Sequence, residues 1–258
     1  MKIPTALSIA GSDPSGGAGI QADLKTFHQR GVYGMAAITL LTVQNTRAVS
    51  SVEVLSPELV EEQVRAAICD IPPGAAKTGA LGDEKIVKML ARLAEEFRFP
   101  LVVDPVMISK HGHALLTKPA RIALKECLLP MAYLVTPNLH EASEIAGVSV
   151  RDIESMERAA EKIISCGARG ALIKGGHLEG DAVDLLRFGN ETVLLSSHRI
   201  ETRHTHGTGC VYSACITAEL AKENSIRDAA ASAKEFISRA IATAPGLGQG
   251  TGPVNIFV

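Results

Sequence analysis

Apolar stretches of strand length recur along the chain, and segments of helical period separate most of them. That alternation confines the fold to βα units around a mostly parallel sheet. The stretches are Thr5–Ala10, Met35–Val43, Val52–Leu55, Ala75–Thr78, Leu101–Val103, Tyr133–Val135, Ala171–Lys174, Val183–Phe188 and Val193–Ser196. Leu101-Val102-Val103 is apolar without alternation, as expected for a strand covered on both faces by helices. Val183–Phe188 and Val193–Ser196, joined near Gly189-Asn190, read as an antiparallel hairpin extending the sheet. The expected fold class is therefore α/β, a central mostly parallel sheet with helices on both faces.

Several helices announce their starts. Ser56-Pro57-Glu58 supplies an N-cap, a first-turn proline and a first-turn acid, followed by the stripe Val60, Val64, Ala67 and Ile68. Asp83 caps a helix whose buried face is Ile86, Met89, Leu90, Leu93 and Phe97, and Arg227 to Thr243 forms the last long helix. No linker, repeat or charge block divides the 258 residues, so residues 1–258 are expected to form a single domain.

The net charge of -2 provides no positive field for nucleic acid or anionic lipid, and six Phe, three Tyr and no Trp offer few stacking platforms. Ile3–Ala10, broken by Pro4, is too short for a signal peptide, and no apolar run approaches the roughly eighteen residues of a membrane span. Five cysteines, odd in number and irregularly spaced, suit a reducing compartment. A cytoplasmic protein with no nucleic-acid or membrane partner is expected.

Ligands of open α/β sheets collect at the carboxyl ends of the strands, so the residues just after each strand carry the functional reading. After the first strand, Gly11-Ser12-Asp13-Pro14-Ser15-Gly16-Gly17-Ala18-Gly19 opens into a helix from about Ile20 to Gln29. It is neither a P-loop, because Gly17 stands where Lys is required, nor a GxGxxG fingerprint; a plain glycine turn is its simplest reading. Asp23 stands at the edge of the helical stripe Ile20, Leu24 and Phe27 and needs a partner there, unless it serves only the helix dipole. Gln44 ends the long strand with a donor and an acceptor side by side, the complement of an amino group beside a ring nitrogen. Satisfying loop backbone is the commoner use of such a glutamine.

The strongest local signal is Arg203-His204-Thr205-His206-Gly207-Thr208-Gly209-Cys210 entering a helix. Glycines at a helix start expose N–H groups to an anion, and Cys210 in that first turn is expected to have a pKa below its usual value of about 8.5. Cys215, Cys69, Cys127 and Cys166 lack this setting and read as packing thiols. Zinc held by His204, His206 and Cys210 is a weaker alternative, since no second pair at finger spacing accompanies them. Lys174-Gly175-Gly176-His177, Asp104 and Thr136-Pro137-Asn138-Leu139-His140-Glu141 add a cation, an amide and carboxylates at other strand ends, a set suited to magnesium and nucleotide phosphate.

Taken in order, AGSDPSGGAGIQADLKTF (Ala10–Phe27), VQNT (Val43–Thr46), DPVM (Asp104–Met107), TPNLHEA (Thr136–Ala142), KGGH (Lys174–His177), THGTGC (Thr205–Cys210) and GPVN (Gly252–Asn255) resemble the hydroxymethylpyrimidine and phosphomethylpyrimidine kinases of thiamine biosynthesis, a branch of the ribokinase superfamily. The resemblance spans nearly the whole chain and implies a ribokinase-like fold. It also implies ATP and Mg2+ as cofactors, and phosphorylation of 4-amino-5-hydroxymethyl-2-methylpyrimidine and then of its monophosphate.

Carried over residue by residue, the resemblance makes Cys210 the general base, where related sugar kinases carry Asp, and Gly207, Thr208 and Gly209 the anion hole. Lys174 becomes a phosphate partner, Asn138, Lys174 and Thr208 nucleotide contacts, and Asp104 and Glu141 magnesium-side acids. Gln44 reads the aminopyrimidine edge, with Gly11, Asp23, Ala80 and Val106 around the substrate.

Two departures stand out. Ala80 replaces a larger residue in Gly79-Ala80-Leu81, and Gly250-Thr251-Gly252 lacks a His frequent between those glycines. The first widens the expected pocket, which makes pyridoxine or pyridoxal kinase activity the nearest alternative. A non-catalytic pyrimidine-binding sensor is the reading from another class, disfavoured by the presence of base, anion hole and phosphate lysine together. Ribokinase relatives suggest a homodimer.

Overall fold

The computed structural model describes residues 3–109, 112–176 and 180–258. A nine-stranded sheet runs in the order β3-β2-β1-β4-β5-β6-β7-β8-β9. The strands are β1 (Thr5–Ser12), β2 (Tyr33–Gln44), β3 (Val49–Val54), β4 (Ala75–Thr78), β5 (Leu101–Val103), β6 (Leu134–Val135), β7 (Gly170–Ile173), β8 (Ala182–Phe188) and β9 (Glu191–Ser197). Pairings from β2 through β7 are parallel. β3, β8 and β9 pair antiparallel at the two edges. The connections explain this. Asn45 to Ala48 is far too short for a crossover, so β3 folds straight back on β2, and Gly189-Asn190 closes the β8–β9 hairpin with Phe188 opposite Glu191.

Helices α1 (Gly19–Gln29), α7 (Thr208–Ala221) and α8 (Ile226–Ala242) cover one face; α2 (Pro57–Asp70), α3 (Glu84–Ala94), α4 (Lys118–Ala123), α5 (Leu139–Ala146) and α6 (Ile153–Ser165) cover the other. Successive strand residues serve the two cores in turn: Leu101 and Val103 join the α2–α6 side, and Val102 joins the α7 side. Ser56 caps α2 by accepting from the Leu59 N–H, and Asp83 caps α3 by accepting from that of Ile86, as the sequence signals indicate. Helix α3 ends at Ala94, so Phe97 packs from beyond its end, stacked on Phe99 with ring centroids 4.6 Å apart.

Cys215 is fully buried, and Cys127 and Cys166 pack partly buried against the core. Cys69 is exposed, which corrects its reading as a packing thiol: at the penultimate position of α2 it lies off the buried stripe of Val60 and Val64. No helix among the described residues is long and apolar enough to cross a membrane.

Candidate active site

The carboxyl ends of the parallel strands gather the chemistry-bearing residues. Six helices, α2 to α6 and α8, start with a side-chain cap, whereas α1 and α7, which begin at the glycine loops, do not. Gly207 precedes α7 with φ +76°, a left-handed conformation that favours glycine, and a Cβ there would stand 1.7 Å from the Gly17 carbonyl oxygen. The two glycine loops are thus in direct backbone contact. First-turn N–H groups have no partner within a helix, so the start of α7, free of a side-chain cap and with only the Thr208 N–H turned back to the Thr205 carbonyl over 3.3 Å, suits an anion. Thr208 donates its hydroxyl to the Thr205 carbonyl over 2.6 Å, which pins the turn.

Lys174, just past β7, reaches the same place. A Cβ on Gly209 would lie 3.2 Å from Lys174 Nζ and 3.8 Å from Asp104 Oδ2. Lys174 Nζ donates to Asp104 Oδ1 over 3.1 Å. Thr136 donates to the same oxygen, and Ser213 of α7 donates to the other. Burial alone would lower the lysine pKa, but Asp104 and Glu141 outweigh it and the pKa is raised, so the ammonium is retained.

Glu141 and Asn138 form a capping box at α5: the Glu141 carboxylate accepts from the Asn138 N–H and Asn138 Oδ1 accepts from the Glu141 N–H. Burial pushes the Glu141 carboxyl up to about 7, and Lys174 opposes the rise. A divalent cation facing Asp104 and Glu141 would meet hard oxygen donors, and its charge would favour the ionised form of Glu141; the donor set fits magnesium held partly through water.

Beneath α7 lies a charged pair. Asp23 is fully buried; its Oδ1 accepts from Lys77 Nζ over 2.7 Å and its Oδ2 from Ser8 Oγ over 2.6 Å. Lys77 has no exposed surface either, and its Nζ lies 3.4 Å from the Cys210 carbonyl oxygen. Burial opposes both charges; Asp23 overcomes that penalty at Lys77, whose pKa is raised, and the short contacts mark an ionised pair. This answers the sequence question about Asp23: its partner is a cation, and α1 carries no first-turn acid. With both oxygens engaged and no surface, Asp23 is joined through Lys77 to the start of α7.

Cys210 is half-buried in the first turn of α7. Its thiol is not acidified. Burial pushes it up to about 12, with Asp23 and Asp104 adding to the rise, while Lys77 and a hydrogen bond from Gly19 oppose it. The expected depression fails because the helix terminus sits in a low-dielectric setting that penalises the thiolate more than the partial charges favour it.

Gln44 lies at the end of β2, its amide nitrogen 3.1 Å from His206 Nε2, which in turn lies 2.7 Å from Asp13 Oδ2. Ala80 sits beside Gly11, 3.6 Å from where a Cβ on Gly11 would be, and Val106 follows Asp104 at the end of β5. No group of three His, Cys, Asp or Glu side chains suited to a metal occurs among the described residues, and His206 Nε2 is engaged by Asp13; the zinc alternative is set aside. His177 lies outside the described residues.

Sequence reasoning missed Lys77, Asp13 and Ser213. The signal for Lys77 was available: a lysine inside the short interior strand Ala75–Thr78, whose other residues are small and uncharged, has no route to water and must have a buried counter-charge.

A sheet of this order with an anion-binding helix start, a lysine and paired carboxylates at its carboxyl end defines a ribokinase-like phosphotransferase. The sequence profile of the phosphomethylpyrimidine kinase family matches residues 13–255, and the chain belongs to that family. It is 46% identical over 252 residues to the hydroxymethylpyrimidine/phosphomethylpyrimidine kinase of Streptomyces coelicolor, covering 98% of this chain and 94% of the relative. Among solved structures it is similar to phosphomethylpyrimidine kinase from Clostridium difficile 630, with a TM-score of 0.82, 42% identity and coverage of 92% and 99% of the two chains. It is also similar to the pyridoxal kinase from Staphylococcus aureus in complex with AMP-PCP and pyridoxal, with a TM-score of 0.92, 37% identity and coverage of 100% and 94%.

Proposed function

We propose that this chain transfers the γ-phosphoryl group of ATP to the hydroxymethyl group of 4-amino-5-hydroxymethyl-2-methylpyrimidine, and a second phosphoryl group to the resulting monophosphate, in thiamine biosynthesis. One observation carries the reading: Cys210, the uncapped start of α7 and the Lys174–Asp104 pair meet at one end of the sheet, in a chain of this family.

In the first transfer the substrate oxygen attacks the γ-phosphorus, the bond to the bridging oxygen of ADP breaks, and the hydroxyl proton passes to the thiolate form of Cys210, the minor form of that side chain at neutral pH. The N–H groups of Gly207, Thr208 and Gly209 receive the transferred group, and the Lys174 ammonium offsets its charge. Gln44 holds the heterocycle edge, with Gly11, Ala80 and Val106 around the ring; Asn138 and Thr208 meet the nucleotide. Asp104 and Glu141 would hold magnesium, which when bound neutralises phosphate charge. For the second transfer the acceptor is a phosphate oxygen with no proton to lose at neutral pH, so Cys210 matters only to the first.

Pyridoxal is the second reading, favoured by the likeness to a pyridoxal-bound kinase and by the small Ala80. ADP release measured in parallel with hydroxymethylpyrimidine and pyridoxal decides: a higher kcat/KM for pyridoxal overturns the primary reading. Binding of either without ADP release would favour a sensor. We further propose one kinase unit over residues 1–258, a cytoplasmic location and a homodimer, the last supported by exposed Leu41 and Val43 on the β2–β3 ribbon.

A further inference from the structure

The Asp13–His206–Gln44 chain has a proton arrangement that its geometry dictates. Asp13 sits at the mouth of the glycine loop with both carboxylate oxygens acting as acceptors: Oδ1 takes the Ser15 N–H over 2.9 Å, and Oδ2 takes the Ala18 N–H over 2.9 Å. His206 Nε2 approaches that same Oδ2 to 2.7 Å, with both side chains nearly inaccessible. A carboxylate only accepts, so the proton of this short contact resides on Nε2, whether the imidazole is neutral or charged. The ring is also held in place: a Cβ on Gly17 would come within 2.5 Å of its Cδ2, and the His206 backbone N–H donates to the Gly252 carbonyl.

Gln44 then has one acceptable orientation. A protonated Nε2 has no lone pair, so an amide NH2 3.1 Å away would set donor against donor. The two ends of a glutamine amide are distinguished by their partners rather than by shape. Exchanging the two nearly isosteric ends of the amide puts the oxygen, in place of the nitrogen, toward His206, where it shares the single Nε2–H with Asp13 Oδ2, and points the NH2 away.

We propose that Asp13 and His206 are positioning residues that set substrate specificity, locking the Gln44 amide with its NH2 toward the heterocycle so that the site requires a hydrogen-bond acceptor on the ring edge. This deepens the proposed function and rests on it for the position of the ring. An aminopyrimidine matches the locked amide with its ring nitrogen, and its neighbouring amino group can share the Gln44 oxygen. Pyridoxal lacks an amino group beside its ring nitrogen and gains less from the lock.

Two substitutions separate the lock from simple packing. His206→Phe keeps a planar ring and removes the donor. Asp13→Asn keeps the shape but removes the charge and one of the two acceptor oxygens, so its NH2 must face the Ser15 N–H or else the Ala18 N–H and Nε2–H, and the hold on the imidazole proton is loosened. Both variants should raise KM for hydroxymethylpyrimidine about tenfold, the value of one hydrogen bond, with kcat and KM for ATP little changed and the ratio of kcat/KM moving toward pyridoxal. Equal losses on both heterocycles, or a parallel rise in KM for ATP, would overturn the lock and leave a structural role.

The proton position is read independently by nitrogen-15 NMR of histidine-labelled protein, with His206 identified as the signal missing in His206→Phe. A protonated Nε2 is expected, and a bare Nε2 overturns the inference whatever the substrate. If wild type fails to phosphorylate hydroxymethylpyrimidine, the functional reading falls, while the NMR result still decides the lock.

Discussion

A thiol with a pKa near 12 makes a demanding base, and the pH dependence of catalysis exposes whether it is one. At pH 7 about one Cys210 side chain in 10⁵ would be ionised, a deprotonation cost of about 7 kcal/mol. Because kcat/KM reports the ionisation of the free enzyme, the structure described here is the relevant state. If the first transfer draws on the thiolate, kcat/KM for hydroxymethylpyrimidine should climb about tenfold per pH unit, roughly a hundredfold from pH 8 to 10. Neighbouring groups leave that window clear: Glu141 titrates near 7, below it, and Lys77 and Lys174 have pKa values raised above the usual lysine range. Cys210→Asp supplies the contrast. Even a rise of about 3 units through burial leaves an aspartate ionised by pH 8, so the variant should be flat from pH 8 to 10. ADP release at limiting pyrimidine and saturating ATP, with magnesium held constant, measures both profiles. A flat wild-type profile, or a variant that climbs in parallel, would remove the Cys210 thiolate from the mechanism.

Other outcomes follow from the same geometry. Lys77→Met leaves Asp23 buried without its cation and should cost about 3–5 kcal/mol in urea unfolding; a loss under 1 kcal/mol would mean that the pair carries little of the α7 anchorage. Lys174→Met should lower kcat by about 10² to 10³ with an unchanged circular dichroism spectrum, and near-normal turnover would exclude Lys174 from the phosphate. Exposed Cys69 should react first with a thiol reagent, without loss of activity, and Cys215 only on unfolding; mass spectrometry of the modified peptides checks the order.

Strand positions were legible because burial on one or both faces leaves a period in the residues themselves; Ala75–Thr78 and Leu101–Val103 coincide with β4 and β5. Helix starts were legible where a side chain closes them, as Ser56 and Asp83 do. What was not legible depends on distance across the fold. Lys77 and Asp23 are 54 positions apart, and only the sheet order β1-β4 under α1 brings them together. The Cys210 pKa was misjudged for the same reason: the helix start is local and visible, whereas the burial that outweighs it comes from remote segments. Candidate site residues carried over from the motifs did converge on the carboxyl end of the sheet, but the motifs said nothing of Asp13 and His206 acting on Gln44, because one motif holds the carboxylate, another the ring and a third the amide.

The contact between Gly17 and Gly207 couples the history of two loops that the sequence separates by 190 positions. Any side chain on Gly207 would push into the Gly17 carbonyl, so lengthening or reshaping the first loop displaces the start of α7 as well. Efforts to retune this enzyme toward a larger heterocycle would gain little from altering either loop alone; the pair behaves as one part, to be exchanged together or left intact.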